Sequence, residues 1–235
     1  MSFLNRLKYK YFTKFSIKTV HLRGRLSDIE KSFFESFKGK YVFRIKDIKS
    51  FFKNANLVNQ KVFLEIGFGN GSHLLEIASK HNDNKEIKLL GVEMYEAGVV
   101  KVMRELFKNN IENTLLIQED AREVLEKIEN QSLAGVFVLF PDPWPKKRHN
   151  KRRLLKQGFI KSLLEKIEIG GELILATDWQ DYANEIEIAL KNLEKEINIK
   201  AFELGDFESK IIKETTFAKR AIKEGRNISI FSYVK

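Results

Sequence analysis

VFLEIGFGNGS, residues 62–72, is the stretch that decides the fold of this chain. It opens with an apolar run typical of a buried strand, and glycines follow at 67, 69 and 71. Periodic apolar residues then predict a helix from Ser72 to His81. A glycine-rich turn between a strand and a helix lets the backbone approach a ligand closely. A tight turn without a ligand has the same pattern, so the use of this loop stays open at this point.

Four more apolar runs follow along the chain, and helical patterns separate them. The runs are IKLLGVE (87–93), TLLIQ (114–118), LAGVFVLF (133–140) and GELILAT (171–177). The helices after them are predicted over 96–109, over 121–129, up to about 167 and over 181–196. Near-continuous apolar strands that alternate with helices indicate a parallel sheet covered on both faces. We therefore predict an α/β protein with a doubly wound, Rossmann-like sheet.

The two ends of the chain have different patterns. INIKAFEL (197–204) and NISIFSYVK (227–235) have the composition of strands, and no convincing helical pattern lies between them. We expect an antiparallel hairpin there, at the edge of the mostly parallel sheet. Residues 1–55 are interpreted as a basic and aromatic extension with a helix near Asp28 to Phe37, and residues 56–235 as the α/β domain.

The composition excludes several classes of protein. Hydrophobic residues make up 43% and charged residues 31% of the 235 residues, as in globular proteins. No apolar run is long enough to cross a membrane, and cations interrupt the N-terminus too early for a signal peptide, so we expect a cytoplasmic protein. The absence of cysteine excludes disulfides and thiol nucleophiles, and four scattered histidines do not indicate a metal site.

The charge balance favours a polyanionic partner. Lys and Arg number 42 against 32 Asp and Glu, a formal net charge of +10. Cations that neutralise phosphates release condensed counterions, which favours binding to nucleic acid. A generally high lysine content produces the same surplus, so charge alone does not decide the partner. The sequence also leaves open whether the protein is a monomer or a homodimer.

Two acids stand at the ends of the second and third predicted strands, where doubly wound sheets bind ligands. Glu93 ends the second strand, where a carboxylate accepts hydrogen bonds from both hydroxyls of a ribose. Asp120 follows the third strand, where a carboxylate can accept from an adenine amino group. The glycine spacing is GxGxG, whereas a dinucleotide fingerprint has GxGxxG. This combination favours an adenosine-containing cofactor.

Glu65 is an acid inside the first, otherwise apolar strand. Burying a carboxylate is costly unless it has a partner. One interpretation puts it beneath the glycine loop, where it accepts from backbone amides or binds an ammonium group of the cofactor. The alternative is a solvent-facing position at a sheet edge.

FPDPWPKKRHNKRR (140–153) follows the fourth strand and contains all three prolines of the chain. Pro141 fixes its own φ, and Pro143 keeps Asp142 out of the helical region, so this carboxylate is held on a stiff backbone. A carboxylate beside Trp144 suits the binding of guanine, because the acid accepts from the base edge while the ring stacks. A proline-rich strand exit with a surface aspartate is the structural alternative.

A basic run without any acid comes directly after the prolines. Its cations are Lys146, Lys147, Arg148, Lys151, Arg152, Arg153 and Lys156. Beside a base pocket such cations are expected to contact phosphates around the target nucleotide. A solvated helix face is the alternative interpretation.

These motifs resemble the bacterial tRNA (guanine-N7-)-methyltransferase family, which modifies a guanine in the variable loop of tRNA. The resemblance runs from about His21 to the C-terminus and is most specific in the proline loop with its HNKRR continuation. The other matching motifs are LRGRL (22–26), LEIGFGNG (64–71), GVE (91–93), EDA (119–121), ATDW (176–179) and TTF (215–217). The glycine loop by itself is shared with most methyltransferases.

The resemblance implies S-adenosylmethionine as cofactor, tRNA as substrate and Asp142 as the catalytic acid. The residues that it assigns to the cofactor are Glu65, Gly67, Gly69, Gly71, Glu93, Asp120, Ala121 and Asp142. Those that it assigns to the substrate are Lys146, Asp178, Thr215, Thr216, Phe217 and Ala218.

This chain departs from the family after the Thr-x-Phe motif. The family commonly has Glu at the position of Ala218 and Gly three residues later, where this chain has Ala221. A substrate contact from Ala218 is therefore in doubt, and Thr215 with Arg220 is expected to contribute more. Asp178 has a structural alternative as the N-cap of the following helix.

Three other functions remain in competition. Amino methyltransferases for adenine or cytosine also have an acid-proline-aromatic motif after the fourth strand. A dehydrogenase uses the same fold with a nicotinamide nucleotide. A non-catalytic RNA-binding module is the third, and the intact glycine loop disfavours it.

Overall fold

The computed structural model describes residues 26–52 and 60–235. Within them, seven strands form one sheet in the order β3-β2-β1-β4-β5-β7-β6. The strands are β1 (Lys61–Ile66), β2 (Ile87–Val92), β3 (Thr114–Ile117), β4 (Leu133–Leu139), β5 (Ile167–Thr177), β6 (Lys200–Ala201) and β7 (Ser229–Val234).

The winding of the sheet reverses beside β1. From β1 the chain adds β2 and β3 on one side, and it then returns to add β4 and β5 on the other, all of them parallel. The predicted doubly wound α/β fold is therefore confirmed. At such a switch point the loops after two neighbouring strands turn away from each other and leave a crevice.

Helices cover both faces of the sheet. They are α1 (Asp28–Tyr41), α2 (Ile48–Phe52), α3 (Ser72–Lys80), α4 (Glu96–Lys108), α5 (Ala121–Lys127), α6 (Gln157–Lys166), α7 (Gln180–Glu194), α8 (Asp206–Glu214) and α9 (Thr216–Lys223). The central strands supply the core, and Leu64, Val136 and Leu173 have no exposed surface. In the described ranges no helix is long and apolar enough to span a bilayer.

The C-terminal segment differs from its prediction. The antiparallel pairing is confirmed, because β7 pairs antiparallel with both β5 and β6. The expectation of no helix between these strands is wrong, because α8 and α9 connect them. Each helix is short and buries few side chains, among them Ile211, Ile212, Ala218 and Ala221. Each helix has fewer than ten residues, and an apolar pattern this short is not distinctive of a helix, which is why the sequence prediction missed them.

The predicted N-terminal helix is confirmed and is longer than expected. Ser27 and Glu30 form a capping box at its start, with the Glu30 amide donating to Ser27 Oγ at 3.3 Å and the Ser27 amide donating to Glu30 Oε2 at 2.9 Å. At its end Tyr41 is buried, and Phe37 packs on Phe107 of α4 with ring centroids 4.4 Å apart. The predicted domain boundary near residue 55 lies outside the described residues.

Candidate active site

The loops after β1 and β4 lie side by side because these strands are neighbours in the sheet. Between them is a cavity of about 300 Å³. Among its lining residues are six that the sequence assigns to the cofactor: Gly67, Gly69, Glu93, Asp120, Ala121 and Asp142. The fold thus brings the ends of four strands together in one crevice.

The glycine loop turns sharply at the end of β1. The φ angles are 73° at Gly67, 56° at Gly69 and 76° at Gly71, values that residues with a Cβ rarely adopt. Gly71 is also the N-cap of α3. The three glycines are therefore needed for the path of the backbone, as their spacing predicts.

A fourth glycine, Gly98 of α4, supports the loop and was not singled out from the sequence. A Cβ built on Gly98 would lie 2.4 Å from the carbonyl oxygen of Gly69. Only glycine therefore lets the loop pack so closely against the helix. An isolated glycine inside a helical pattern is the signal that indicates such a contact.

Glu93 holds the glycine loop from the side. One carboxylate oxygen accepts from the Gly69 amide at 2.9 Å, and the other accepts from the Tyr95 amide at 2.9 Å. Each carboxylate oxygen has two lone pairs, so both retain a position for a ligand hydroxyl. The acid predicted to bind ribose is thereby fixed to the predicted cofactor loop.

Asp120 caps α5 and lines the cavity together with Ala121. Its Oδ1 accepts from the Arg122 amide at 2.8 Å, and its Oδ2 lies 3.1 Å from Nη1 of the same residue. These contacts fix the carboxylate at the end of β3. Its contact with an adenine amino group stays a prediction.

Glu65 is buried, so its interpretation as a solvent-facing edge residue is wrong. The side chain is 5% exposed, and its Oε2 lies 2.8 Å from Nδ1 of His73 in the first turn of α3. The His73 ring packs on Phe137 with centroids 4.9 Å apart. His73 is the partner that the buried acid requires, and the sequence pattern did not identify it.

The proline loop has an unusual backbone. Phe140 and Trp144, which bracket the Pro-Asp-Pro segment, have positive φ angles of 52° and 45°. Such angles cost of order 1–3 kcal/mol each in residues other than glycine and persist only when surrounding contacts impose them. One such contact is the hydrogen bond from the Phe140 amide to the Ala176 carbonyl of β5, at 2.8 Å. With its amide nitrogen facing them, Asn150 donates to the carbonyls of Trp144 at 3.1 Å and Lys146 at 3.2 Å.

Asp142 and Trp144 both line the cavity, as the sequence predicts. Asp142 is exposed and lines the same cavity as Gly67 and Gly69. The guanidinium of Arg152 lies 4.8 Å from the Trp144 ring centroid, a cation–π contact that holds the ring at the mouth of the cavity. The loop therefore presents an acid and an aromatic face to the same space.

The environment of His149 is set by the same basic run. Partial burial, and then the charges of Arg152 and Arg148, lower the pKa of His149 below its ordinary value. Its ring meets the edge of Trp144 at a centroid distance of 5.9 Å. His149 is therefore neutral at pH 7 and packs as an aromatic ring.

The basic run divides into exposed and buried cations. Its exposed members are Lys146, Lys147, Arg148, Lys151 and Lys156. The expectation that Arg153 contacts phosphate is wrong, because its side chain has no exposed surface and forms ion pairs with Asp181 and Glu185 of α7. The exposed cations of this run are therefore available to a partner, whereas Arg153 forms ion pairs inside the protein.

Asp178 follows β5 and pairs with a cation from the C-terminal segment. Its Oδ2 lies 2.8 Å from Nη2 and 2.9 Å from Nε of Arg226. The alternative of Asp178 as a helix N-cap is wrong, because the N-cap of α7 is Trp179. The carboxylate is 16% exposed, so a substrate contact there stays a prediction.

The predicted substrate segment 215–218 splits into buried and exposed residues. Thr215 is buried as the N-cap of α9, with its hydroxyl accepting from the Ala218 amide at 3.3 Å, and Ala218 has no exposed surface. Thr216 Oγ1 accepts from Asn70 of the glycine loop at 2.5 Å, and Phe217 is 51% exposed beside Gly69. Only Thr216 and Phe217 of this segment therefore face a ligand space.

A wider cavity of about 950 Å³ adjoins the first one. Gly69 and Phe217 line both cavities. Exposed cations of α4 line its far side, at Lys101, Arg104 and Lys108. Glu30 and Glu105 line the same cavity, and Glu30 Oε1 lies 4.0 Å from Nη1 of Arg104. The crevice therefore continues from the glycine loop over a helix face with only a small excess of cations.

Comparison with known proteins identifies the family. A family model described as "Putative methyltransferase" matches residues 59–230. A tRNA (guanine-N(7)-)-methyltransferase of Francisella philomiragia is 37% identical over 186 residues, which cover 77% of this chain and 78% of that protein. The same enzyme of Wolbachia pipientis wMel is 38% identical over 172 residues, which cover 73% and 74%. The chain belongs to the tRNA (guanine-N(7)-)-methyltransferase family.

Solved structures share the fold of this member of the tRNA (guanine-N(7)-)-methyltransferase family. A 30S ribosomal A1408 methyltransferase from an uncultured bacterium superposes with a TM-score of 0.55 at 14% identity, covering 80% of this chain and 93% of that chain. The antibiotic-resistance methyltransferase Kmr gives a TM-score of 0.52 at 15% identity, covering 77% and 90%. At this identity the comparison establishes the fold.

Proposed function

We propose that this protein transfers a methyl group from S-adenosylmethionine to N7 of a guanine in the variable loop of tRNA, which yields 7-methylguanosine. The observation that carries the proposal is the shared cavity of the glycine loop and the proline loop. One wall carries the glycines with Glu93 and Asp120, and the opposite wall carries Asp142 with Trp144. A cofactor on the first wall and a base on the second would meet in this space.

The lining residues fit S-adenosylmethionine, which supplies a methyl group already activated on a sulfonium. A Cβ built on Gly67 would have no atom within 4 Å, so the cavity is open where the loop turns. Glu93 retains lone pairs for ribose hydroxyls, and Asp120 stands at the next strand end for adenine. The buried Glu65 is proposed to act on the cofactor's ammonium group, with His73 as its neighbour.

Guanine N7 carries a lone pair, so methyl transfer starts without removal of a proton. The N7–methyl bond forms as the sulfur–methyl bond breaks, and the positive charge moves from sulfur to the base. We assign Asp142 two tasks, which are to accept hydrogen bonds from the guanine edge and to stabilise the charge that develops on the ring. Alignment of the two reactants supplies most of the remaining acceleration.

Several features support tRNA as the partner. The exposed cations of the basic run lie next to the cavity wall formed by Trp144 and Arg152, and Lys101, Arg104 and Lys108 lie beyond Phe217. We propose phosphate contacts for Lys146 and nucleotide contacts for Asp178, Thr216 and Phe217. Thr215 and Ala218 are proposed to act only through the backbone, because their side chains are buried. A tRNA substrate also favours a cytoplasmic location.

The decisive experiment uses the whole protein with methyl-labelled S-adenosylmethionine and unfractionated tRNA. After nuclease digestion, mass mapping should find the label in 7-methylguanosine from the variable loop. Label in an adenine or cytosine amino group would favour the competing amino methyltransferase. Binding of a nicotinamide nucleotide without binding of S-adenosylmethionine would favour a dehydrogenase.

A further inference from the structure

Arg153 is the largest fully buried side chain in the described part of the protein. Its Nη2 lies 2.8 Å from Oδ2 of Asp181, and its Nη1 lies 2.8 Å from Oε1 of Glu185. The guanidinium carbon lies 5.0 Å from the centroid of the Tyr182 ring. A buried charge is tolerated only with partners of this kind, and α7 supplies all three.

The fourth contact of Arg153 connects α7 to the proline loop. Its Nε donates to the carbonyl oxygen of Pro143 at 2.8 Å. Pro143 directly follows Asp142, so the bonded carbonyl belongs to the residue next to the proposed catalytic acid. This hydrogen bond joins two residues that lie ten positions apart in the loop and so holds the two ends of that segment together.

The geometry requires arginine in particular. A guanidinium carries its donors in a planar fork, so Nε donates to the loop and Nη2 donates to Asp181 of α7. Nη1 forms an ion pair with Glu185 but no hydrogen bond. A lysine ammonium is a point charge on a flexible stem and cannot occupy these directions together. Tyr182 extends the same link, because its hydroxyl accepts from the Leu155 amide at 2.6 Å.

We propose that Arg153 is a positioning residue that holds the Pro143 carbonyl and thereby keeps the Asp142 carboxylate directed into the cavity. Arg153 touches neither cofactor nor RNA in this proposal. The tests of Arg153 that measure turnover depend on the proposed methyl transfer. The position of the proline loop can be measured without turnover. The two positive φ angles at Phe140 and Trp144 mark the strain that such a contact has to offset.

The first test compares Arg153→Lys with the unchanged protein, well below the melting temperature of both. A displacement of about 1 Å at the reacting groups can cost roughly 100-fold in rate, so we expect kcat to fall by about 10- to 100-fold. KM for tRNA and the dissociation constant of S-adenosylmethionine should stay within about twofold. A raised KM with a smaller salt dependence and normal kcat would instead show a phosphate contact and overturn the proposal.

Leu163→Ala is the matched control for lost stability. Leu163 is fully buried on α6 and does not line the cavity. If Leu163→Ala lowers kcat as much as Arg153→Lys does at equal loss of melting temperature, Arg153 is merely structural and the proposal fails. If Arg153→Lys does not fold, Asp181→Ala carries the test, because it removes the acceptor of the Nη2 hydrogen bond and Asp181 is 65% exposed. That variant should lower kcat in the same direction, and an unchanged kcat would overturn the proposal.

A second readout does not depend on catalysis. The chain has two tryptophans, so Trp144 can be followed alone in a Trp179→Phe background. Arg153→Lys should change the emission and the acrylamide quenching of Trp144, whereas Leu163→Ala should not. Unchanged Trp144 signals in Arg153→Lys would overturn the proposal. If Arg153→Lys shows the fluorescence change while the unchanged protein does not methylate tRNA, the proposed function is refuted and the role of Arg153 stands.

Discussion

The glycine loop and the proline loop face each other across one cavity, and they obtain their shapes in opposite ways. The glycine loop turns through positive φ angles at Gly67, Gly69 and Gly71, where these angles cost little. The proline loop turns through positive φ angles at Phe140 and Trp144, where contacts from β5 and the basic run must impose them. The first shape is therefore local, whereas the second is produced by the tertiary structure.

The largest effect is expected when the acid is removed from the proline loop. Asp142→Ala should lower kcat by about 100-fold or more, because a preorganised charge that acts at the transition state is worth that much. The dissociation constant of S-adenosylmethionine should change far less. Stopped or quenched methylation assays and calorimetric titration measure the two quantities, and Asp142→Asn controls for the volume of the side chain. Turnover of Asp142→Ala like that of the unchanged protein would contradict the assignment.

The glycine loop can be tested with a matched pair. A Cβ on Gly71 would lie 2.2 Å from Cγ2 of Val102, whereas one on Gly67 would meet nothing within 4 Å. Gly71→Ala should cost about 3 kcal/mol of unfolding free energy through strain and overpacking together, and Gly67→Ala about 1 kcal/mol through strain alone. Urea denaturation measures both. Equal losses would show that contact with α4 does not contribute.

The exposed part of the basic run should act on RNA affinity. Lys146→Ala should weaken tRNA binding a few-fold and lower the slope of log K against log salt by about 0.7 to 0.9, since one phosphate contact is lost. Filter binding at several salt concentrations measures the slope. Lys195→Ala, an exposed cation just after α7, should leave it unchanged. A slope that is equal in both variants would argue against a phosphate contact from Lys146.

The smallest effect concerns His149. Partial burial, followed by the neighbouring arginines, lowers its pKa in the folded protein, so below about pH 6.5 the unfolded chain binds the proton more readily. Stability should therefore fall as the pH drops through this region. Between pH 7.5 and 5.5, the free energy of unfolding should decrease less in His149→Gln than in the unchanged protein. Urea midpoints at the two pH values measure this difference. The same loss in both proteins would show that His149 makes no contribution.

Residues whose role depends on their own strand or loop were predictable. Gly67, Gly69, Glu93, Asp120 and Asp142 stand at strand ends, and the order of the strands puts those ends together. The doubly wound sheet follows from the alternation of apolar strands and helices for the same reason. The residues that sequence reasoning missed are partners from other elements.

His73, Gly98 and Arg226 illustrate why the remainder was not predictable. Each acts on a residue that the sequence did single out, namely Glu65, Gly69 and Asp178. A periodic pattern shows that a position is apolar or polar, but it does not show which distant side chain packs against it. The tail helices were missed for a different reason, because each has fewer than ten residues and so short an apolar pattern is not distinctive of a helix.

The amino-acid sequence by itself determined the doubly wound sheet, the glycine turn and the acids at the strand ends, because φ preferences and apolar periodicity are properties of neighbouring residues. Only the tertiary structure decided that Arg153 lies in the interior while Lys146 remains in solvent. Both belong to one basic run, and Asp181, the nearer in sequence of the two acids that pair with Arg153, stands 28 residues further along the chain. Burial of a charge depends on a partner that the fold alone brings within reach.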